Sequence, residues 1–181
     1  MDSFKELNLE EKLQRAIEAC GFETPTPIQR DSIPEILADK DVLASAQTGT
    51  GKTASFVLPA MHKLLQKPDR KGRGPRVLIL TPTRELAGQV NNNIRDLGQF
   101  CDFVTGSVIG GMPYPPQIRL LQKKVDILVA TPGRLMDHME SGRIDYSDLE
   151  IFVLDEADRM LDLGFIGDIR NIASKLPKQR Q

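Results

Sequence analysis

The chain is poor in the residues that staple small folds or hold metals. Only two cysteines occur, Cys20 and Cys101, far apart in sequence. They make neither a disulfide framework nor a metal-ligand cluster, and both read as packed thiols. The two histidines, His62 and His138, lack the partners at ligand spacing that a zinc site requires. No apolar run approaches the roughly 18 residues of a membrane span, and the polar opening MDSFKELNLEEK has no signal-peptide core. The expectation is a cytoplasmic protein without a membrane partner. Neither sign of charge dominates: 24 Lys and Arg stand against 25 Asp and Glu, a net charge of −1. The chain as a whole therefore lacks the basic surplus of a generic nucleic-acid binder. Internal repeats of solenoid length and low-complexity linkers are absent as well.

What is present suits one α/β domain. The chain has 181 residues, 40% hydrophobic and 27% charged, enough to bury a single core and too apolar for a mainly disordered chain. Charge is unevenly spread. Lys67, Arg70, Lys71, Arg73, Arg76 and Arg84 face Asp69 alone, whereas the stretch from Asp137 to Asp168 is strongly acidic. Such a split fits solvated faces of opposite sign, and it also permits a local phosphate-binding surface.

Four β-branched or leucine-rich runs predict buried strands at Val42–Ala46, Val77–Thr81, Val125–Ala130 and Ile151–Leu154, with Phe103–Ile109 a weaker fifth. Helical stripes lie between them. Leu86, Val90, Ile94 and Leu97 form one; Leu13, Ala16, Ile17 and Cys20 form another, opened by an Asn8/Glu11 capping box and closed by Gly21. The stretch KPDRKGRGP reads as a long exposed loop. Alternating strands and helices imply a parallel sheet wrapped by helices on both faces. Ligands of such sheets bind beyond the carboxyl ends of the strands. There the unusual strings fall: AQTGTGKT, TPTR, Gly110-Gly111, TPGR and DEAD.

Gln47–Thr53 is a glycine-rich turn between a strand and a helical pattern, so backbone N–H groups and a helix N-terminus can converge on phosphates. Gly49 and Gly51 allow close approach, Lys52 reaches the β- and γ-phosphates, and the Thr53 hydroxyl suits Mg²⁺. The pattern departs from a strict phosphate loop at Ala46, which stands where glycine is usual. A second strand runs into Asp155 and Glu156. Asp155 suits the metal through its water shell, and Glu156 suits a general base that polarises the attacking water. Together the two elements point to ATP hydrolysis, with Lys52, Asp155 and Glu156 as its catalytic residues. In TPTREL and TPGRLM a strand ends, Thr81 or Thr131 caps, Pro82 or Pro132 opens the helix, and Arg84 or Arg134 follows. A cation at the positive end of a helix is misplaced unless an anion sits beside it. Two such sites suit a chain of phosphates; surface arginines paired with acids remain the alternative.

These motifs, in this order, resemble the amino-terminal RecA-like domain of a DEAD-box RNA helicase, most similar to bacterial members, over essentially the whole chain. GFETPTPIQ (Gly21–Gln29) resembles the Q motif, with Phe4 as its upstream aromatic. AQTGTGKT resembles motif I, in which the family carries the alanine at Ala46. PTRELA, Gly110-Gly111, TPGR and DEAD resemble motifs Ia, GG, Ib and II. The resemblance implies a P-loop NTPase fold, with residues 1–30 as a Q-motif region packed on the RecA-like ATP-binding domain of residues 31–181. It implies adenine nucleotide at Phe4, Phe22, Thr24, Gln29, Ala46, Gln47, Thr48, Gly49, Thr50, Gly51, Lys52 and Thr53, with Mg²⁺ at Thr53 and Asp155. It implies the RNA backbone, read without regard to bases, at Pro82, Thr83, Arg84, Gly110, Gly111, Thr131, Pro132, Gly133 and Arg134. The family's motif III and second RecA-like domain do not occur in the chain, so it is expected to be a monomeric fragment that hydrolyses ATP and unwinds RNA only with that missing half. A P-loop ATPase acting on DNA or protein is the alternative. A non-catalytic RNA-binding module is disfavoured, because a binder has no need of Lys52, Thr53, Asp155 and Glu156 together.

Overall fold

The computed structural model describes residues 1–47, 49, 51–68 and 72–181. They fall into two compact units: Met1–Asp69 with Asn92–Asp102 and Gln181, and Arg70–Asn91 with Phe103–Arg180.

The first unit is helical. A 3-10 turn at Phe4–Leu7 precedes α1 (Glu11–Ala19), α2 (Pro27–Leu37) and α3 (Lys52–Gln66). α1 buries Leu13, Ala16 and Ile17 as a one-sided stripe. α3 buries a wider set, including Val57, Leu58, Met61 and Leu64, because it packs on both α1 and α2. Each large apolar side chain so enclosed contributes about 1.5–3 kcal/mol. Gly21 closes α1 as its sequence position suggests. At φ 75° it donates its N–H to the Glu18 carbonyl while Phe22 donates to that of Ile17, the paired bonds of a Schellman end.

Two sequence expectations fail in this unit. Asn8 does not open α1; it takes a left-handed conformation (φ 52°) and ends the preceding turn by donating its N–H to the Lys5 carbonyl. Asparagine tolerates that conformation where most residues do not, so the turn wins over the capping box. Glu10 is the N-cap instead, and its N–H donates to His62 Nδ1 at 3.0 Å. Val42–Ala46 is not a strand either: Val42 is 41% and Leu43 fully exposed. The run pairs with no strand among the described residues, so its two large apolar side chains, ahead of Ala-Ser-Ala, are left uncovered.

The second unit holds a four-stranded, wholly parallel sheet in the order β2-β3-β1-β4, with β1 at Val77–Leu80, β2 at Thr105–Val108, β3 at Ile127–Ala130 and β4 at Ile151–Leu154. Helices α4 (Arg84–Leu97, whose last turns belong to the first unit), α5 (Tyr114–Leu121), α6 (Pro132–Glu140), α7 (Ala157–Asp162) and α8 (Ile166–Ser174) connect or follow the strands. The central strands VLIL and ILVA are buried at every residue, as a sheet covered on both faces requires. The edge strands are not. β2 reads TGSV, and β4, expected to be buried throughout, buries only Ile151 and lies at the sheet's edge among the described residues. Leu78, Leu80, Leu128, Ala130, Leu135, Met160 and Ile172 lie at the centre of the core.

Candidate functional site

The phosphate-loop residues and the Q-motif residues lie in the first unit. Gly49 (φ 82°) and Gly51 (φ 77°) adopt left-handed backbone, and α3 begins at Lys52 without a side-chain cap. Gly51 is doubly constrained: a Cβ there would run into the Gln29 carboxamide and come within 3.2 Å of the Thr26 methyl. Gln29 is 4% exposed. Its Oε1 accepts the Thr26 N–H (2.9 Å), capping α2, and its Nε2 donates to the Gly51 carbonyl (3.0 Å). A carboxamide offers two donors and two lone pairs, so one of each remains beyond these bonds. Phe22 and Thr24 are exposed, whereas Phe4 lies in the unit's core. Ala46, Lys52 and Thr53 are half-buried and Gln47 is exposed. Thr48 and Thr50, and Asp69, Arg70 and Lys71 of the basic stretch, lie outside the described residues.

In the second unit the sheet sets the candidate residues level with one another. Each ladder continues one residue past its strand: Asp155 N–H donates to the Leu80 carbonyl (2.9 Å), Thr81 N–H to Ala130 (3.0 Å) and Thr131 N–H to Val108 (3.2 Å). The in-register pairing of the four parallel strands therefore places Thr81, Thr131 and Asp155 in one row at the carboxyl edge, with Ile109 and Gly110 leaving β2 beside them. Asp155 is 6% exposed. Glu156 follows at φ 58°, ψ 47° as the N-cap of α7. A left-handed glutamate costs on the order of 1–3 kcal/mol, the kind of strain that clusters at functional positions.

The two arginine helix starts differ from expectation and from each other. Thr81 does not cap α4. Thr83 does, its hydroxyl accepting the Leu86 N–H at 3.2 Å, so the helix begins at Arg84 itself. Arg84 is exposed, 4.0 Å from Glu85 and beside Gly111, whose φ of 78° and close approach to the Arg84 guanidinium both favour glycine. α6 begins at Pro132 with Thr131 as N-cap, as expected, but the Thr131 hydroxyl accepts from the Gly110 N–H (3.1 Å) instead of capping the helix.

Arg134 is held by a carbonyl, a carboxamide and an aromatic face. Its Nη1 donates to the Met112 carbonyl (2.6 Å) and to Gln117 Oε1 (3.3 Å), and its guanidinium carbon sits 4.0 Å from the centroid of the Tyr114 ring. The sequence reading weighed an anion or an acid at that helix start; the carbonyl, the carboxamide and the π face are further partners for the cation. Gln117 donates in turn to the Ile109 carbonyl (3.0 Å), and His138 Nε2 lies 2.9 Å from Gln117 Oε1. Sequence reasoning passed over Tyr114 and Gln117, and weighed His138 only as a zinc ligand. The signal it had was a polar residue in an apolar stripe: α6 buries Pro132, Leu135 and His138, and Gln117 is the buried residue of α5.

Among the described residues no helix is long and apolar enough to cross a membrane, and no group of three metal-binding side chains stands together. The family model for the DEAD/DEAH box helicase matches residues 26–181. The chain is 48% identical to DEAD-box ATP-dependent RNA helicase 28 of Arabidopsis thaliana, over 99% of this chain and 23% of the relative. It is 45% identical to ATP-dependent RNA helicase SrmB of Escherichia coli (strain K12), over 99% of this chain and 40% of the relative. With ATP-dependent RNA helicase RhlB of Pasteurella multocida (strain Pm70) it shares 46% identity, over 96% of this chain and 41% of the relative. The chain thus spans well under half the length of these curated relatives. With a parallel α/β sheet whose TPTR, TPGR and DEAD strings stand in one row at its carboxyl edge, and with that match over most of its length, the chain belongs to the DEAD/DEAH box helicase family.

Proposed function

We propose that this chain is the amino-terminal ATP-binding domain of an ATP-dependent RNA helicase, which hydrolyses ATP to unwind or remodel RNA together with a second RecA-like domain. The observation that carries the reading is the row at the carboxyl edge of the sheet, where the candidate metal-binding acid and the candidate RNA-binding segments stand level on adjacent strands. The full set of motifs and the relatives' similarity support it; a P-loop ATPase acting on DNA or protein is not favoured. The protein is proposed to be a cytoplasmic monomer.

The nucleotide's phosphates are assigned to Gln47–Thr53. Two left-handed glycines lead there into a helix whose first N–H groups lack a side-chain cap, a fit for an anion. Thr48 and Thr50 belong to this assignment through sequence alone. The remaining donor and lone pair of Gln29 match adenine N7 and N6 and mismatch guanine, and the exposed ring of Phe22 offers a face for the base. Phe4, enclosed in the core, supports this segment from within. Thr53 and Asp155 supply hard oxygen donors of the kind Mg²⁺ prefers. The ion, when bound, neutralises charge on the phosphate oxygens. Lys52 adds positive charge at the phosphates, and Glu156 takes the proton of the attacking water. Pro82, Thr83, Arg84, Gly110, Gly111, Thr131, Pro132, Gly133 and Arg134 meet the RNA sugar-phosphate backbone without reading bases.

The test is ATP turnover by the full-length protein with and without RNA. RNA should stimulate turnover, and Glu156→Gln should abolish it while leaving nucleotide binding intact. Turnover indifferent to RNA would favour the rival ATPase, and undiminished turnover by Glu156→Gln would remove the general base.

A further inference from the structure

Arg134 owes its position to α5. Two of its three partners, Gln117 and Tyr114, lie on that helix, and the third, the Met112 carbonyl, lies just before it. His138, four residues after Arg134 and fully buried, bonds across from α6 to the same Gln117 carboxamide. Its protonation state follows from its neighbours. Gln117 Oε1 already accepts from Arg134, so it is an acceptor, and His138 Nε2 must carry the hydrogen it receives. His138 Nδ1 lies 3.2 Å from Arg143 Nη1; a guanidinium can only donate, so Nδ1 is bare. The imidazole is neutral and locked as its Nε2–H tautomer.

We propose that His138 is a positioning residue for RNA binding: its neutral ring donates to the Gln117 carboxamide, which braces Arg134, and the positive charge added by protonation of His138, set between Arg134 and Arg143, loosens that brace. The inference rests on the reading of Arg134 as an RNA phosphate ligand. A proton on Nδ1 would set an N–H against the Arg143 guanidinium and place a third cation between Arg143 and Arg134. The groups facing the ring are Arg134 and Asp137 from its own helix, Tyr114 and Gln117 from α5, and Arg143 from the following loop. Asp137, the one anion among them, is already engaged by the Tyr114 hydroxyl at 2.6 Å. Burial first, then Arg143 and Arg134, hold the imidazole below its ordinary pKa against the opposing pull of Asp137. The geometry and the charges thus favour the same state.

The experiment measures single-stranded RNA affinity of the full-length protein with a non-hydrolysable ATP analogue, from pH 8 to pH 5, for wild type, His138→Leu, His138→Gln, Arg134→Ala and the His138→Leu/Arg134→Ala double variant. At pH 8 His138→Leu should bind about tenfold more weakly, the scale of one charge-assisted contact. His138→Gln, which keeps a donor for Gln117 but cannot take up a proton, should restore most of that loss. Wild-type affinity should fall further on acidification than that of His138→Gln. The double variant should bind no more weakly than Arg134→Ala, since the histidine acts through the arginine. Independent losses in the double variant, or equal pH profiles for wild type and His138→Gln, would overturn the proposal. If His138→Leu fails to fold, the pH comparison with His138→Gln still decides it. Normal RNA binding by Arg134→Ala would instead overturn the phosphate reading on which the proposal rests.

Discussion

Residues 81–84 and 131–134 read Thr-Pro-Thr-Arg and Thr-Pro-Gly-Arg, follow strands that pair side by side, and yet begin their helices differently. Thr83 has a hydroxyl and uses it to cap α4, so the helix starts at the arginine and Arg84 projects into solvent. Gly133 has none. The start of α6 falls back two residues to Pro132, the Thr131 hydroxyl is left to fasten Gly110, and Arg134 enters the helix as a half-buried, braced side chain. One hydroxyl decides which arginine is fixed and which is adaptable. The fixed one costs less ordering when a phosphate arrives.

Removing both arginines gives the largest expected effect. Arg84→Ala/Arg134→Ala in the full-length protein should weaken single-stranded RNA binding by roughly 10²-fold, about tenfold for each charge-assisted contact. Stability should separate the pair. Arg134→Ala abandons its bonds to Met112 and Gln117 and its stacking on Tyr114, and should cost about 1–2 kcal/mol in urea denaturation. Arg84→Ala, which loses an ion pair with the exposed Glu85 at 4.0 Å, should stay within about 0.5 kcal/mol. Thr83→Val keeps the shape and removes the cap, and should cost about 1 kcal/mol while leaving α6 untouched in hydrogen exchange.

The smallest effect is the pH dependence of stability. Burial lowers the pKa of His62 in the first unit and of His138 in the second. The unfolded chain therefore takes up protons at a higher pH than the folded one. Stability should be fully present above the ordinary imidazole range and be lost as pH falls through that range to the lowered folded values. His62→Gln and His138→Gln should each flatten part of this acid limb; a limb unchanged in both would mean that other groups carry it.

Much of this was legible in the sequence because apolar runs and turn residues act locally. The strands at 77–80, 127–130 and 151–154 are visible in continuous branched or leucine-rich runs, and Gly21 marks the end of α1 because the left-handed position there suits glycine. Val42–Ala46 misled because two large apolar residues look like a strand, yet burial depends on the partner strand and not on the run itself. The helix starts misled because Thr81 and Thr83 are both competent caps, and local sequence does not say which hydroxyl is spare. Tyr114, Gln117 and His138 were invisible as a group. Their link is spatial, made by α5 and α6 packing in the same unit, and only their polarity at buried helix positions hinted at it.

Arg84 and Arg134 are proposed to meet RNA through its phosphates. The most direct test is a salt titration of RNA binding by the full-length protein and by Arg84→Ala and Arg134→Ala, each with two unrelated single-stranded RNAs and a non-hydrolysable ATP analogue. Each variant should bind both RNAs more weakly by the same factor and lower the logarithmic salt slope by about 0.7, the value for one lost single-strand phosphate contact. An unchanged slope, or a loss confined to one RNA, would contradict the claim and leave both arginines as structural or surface charges.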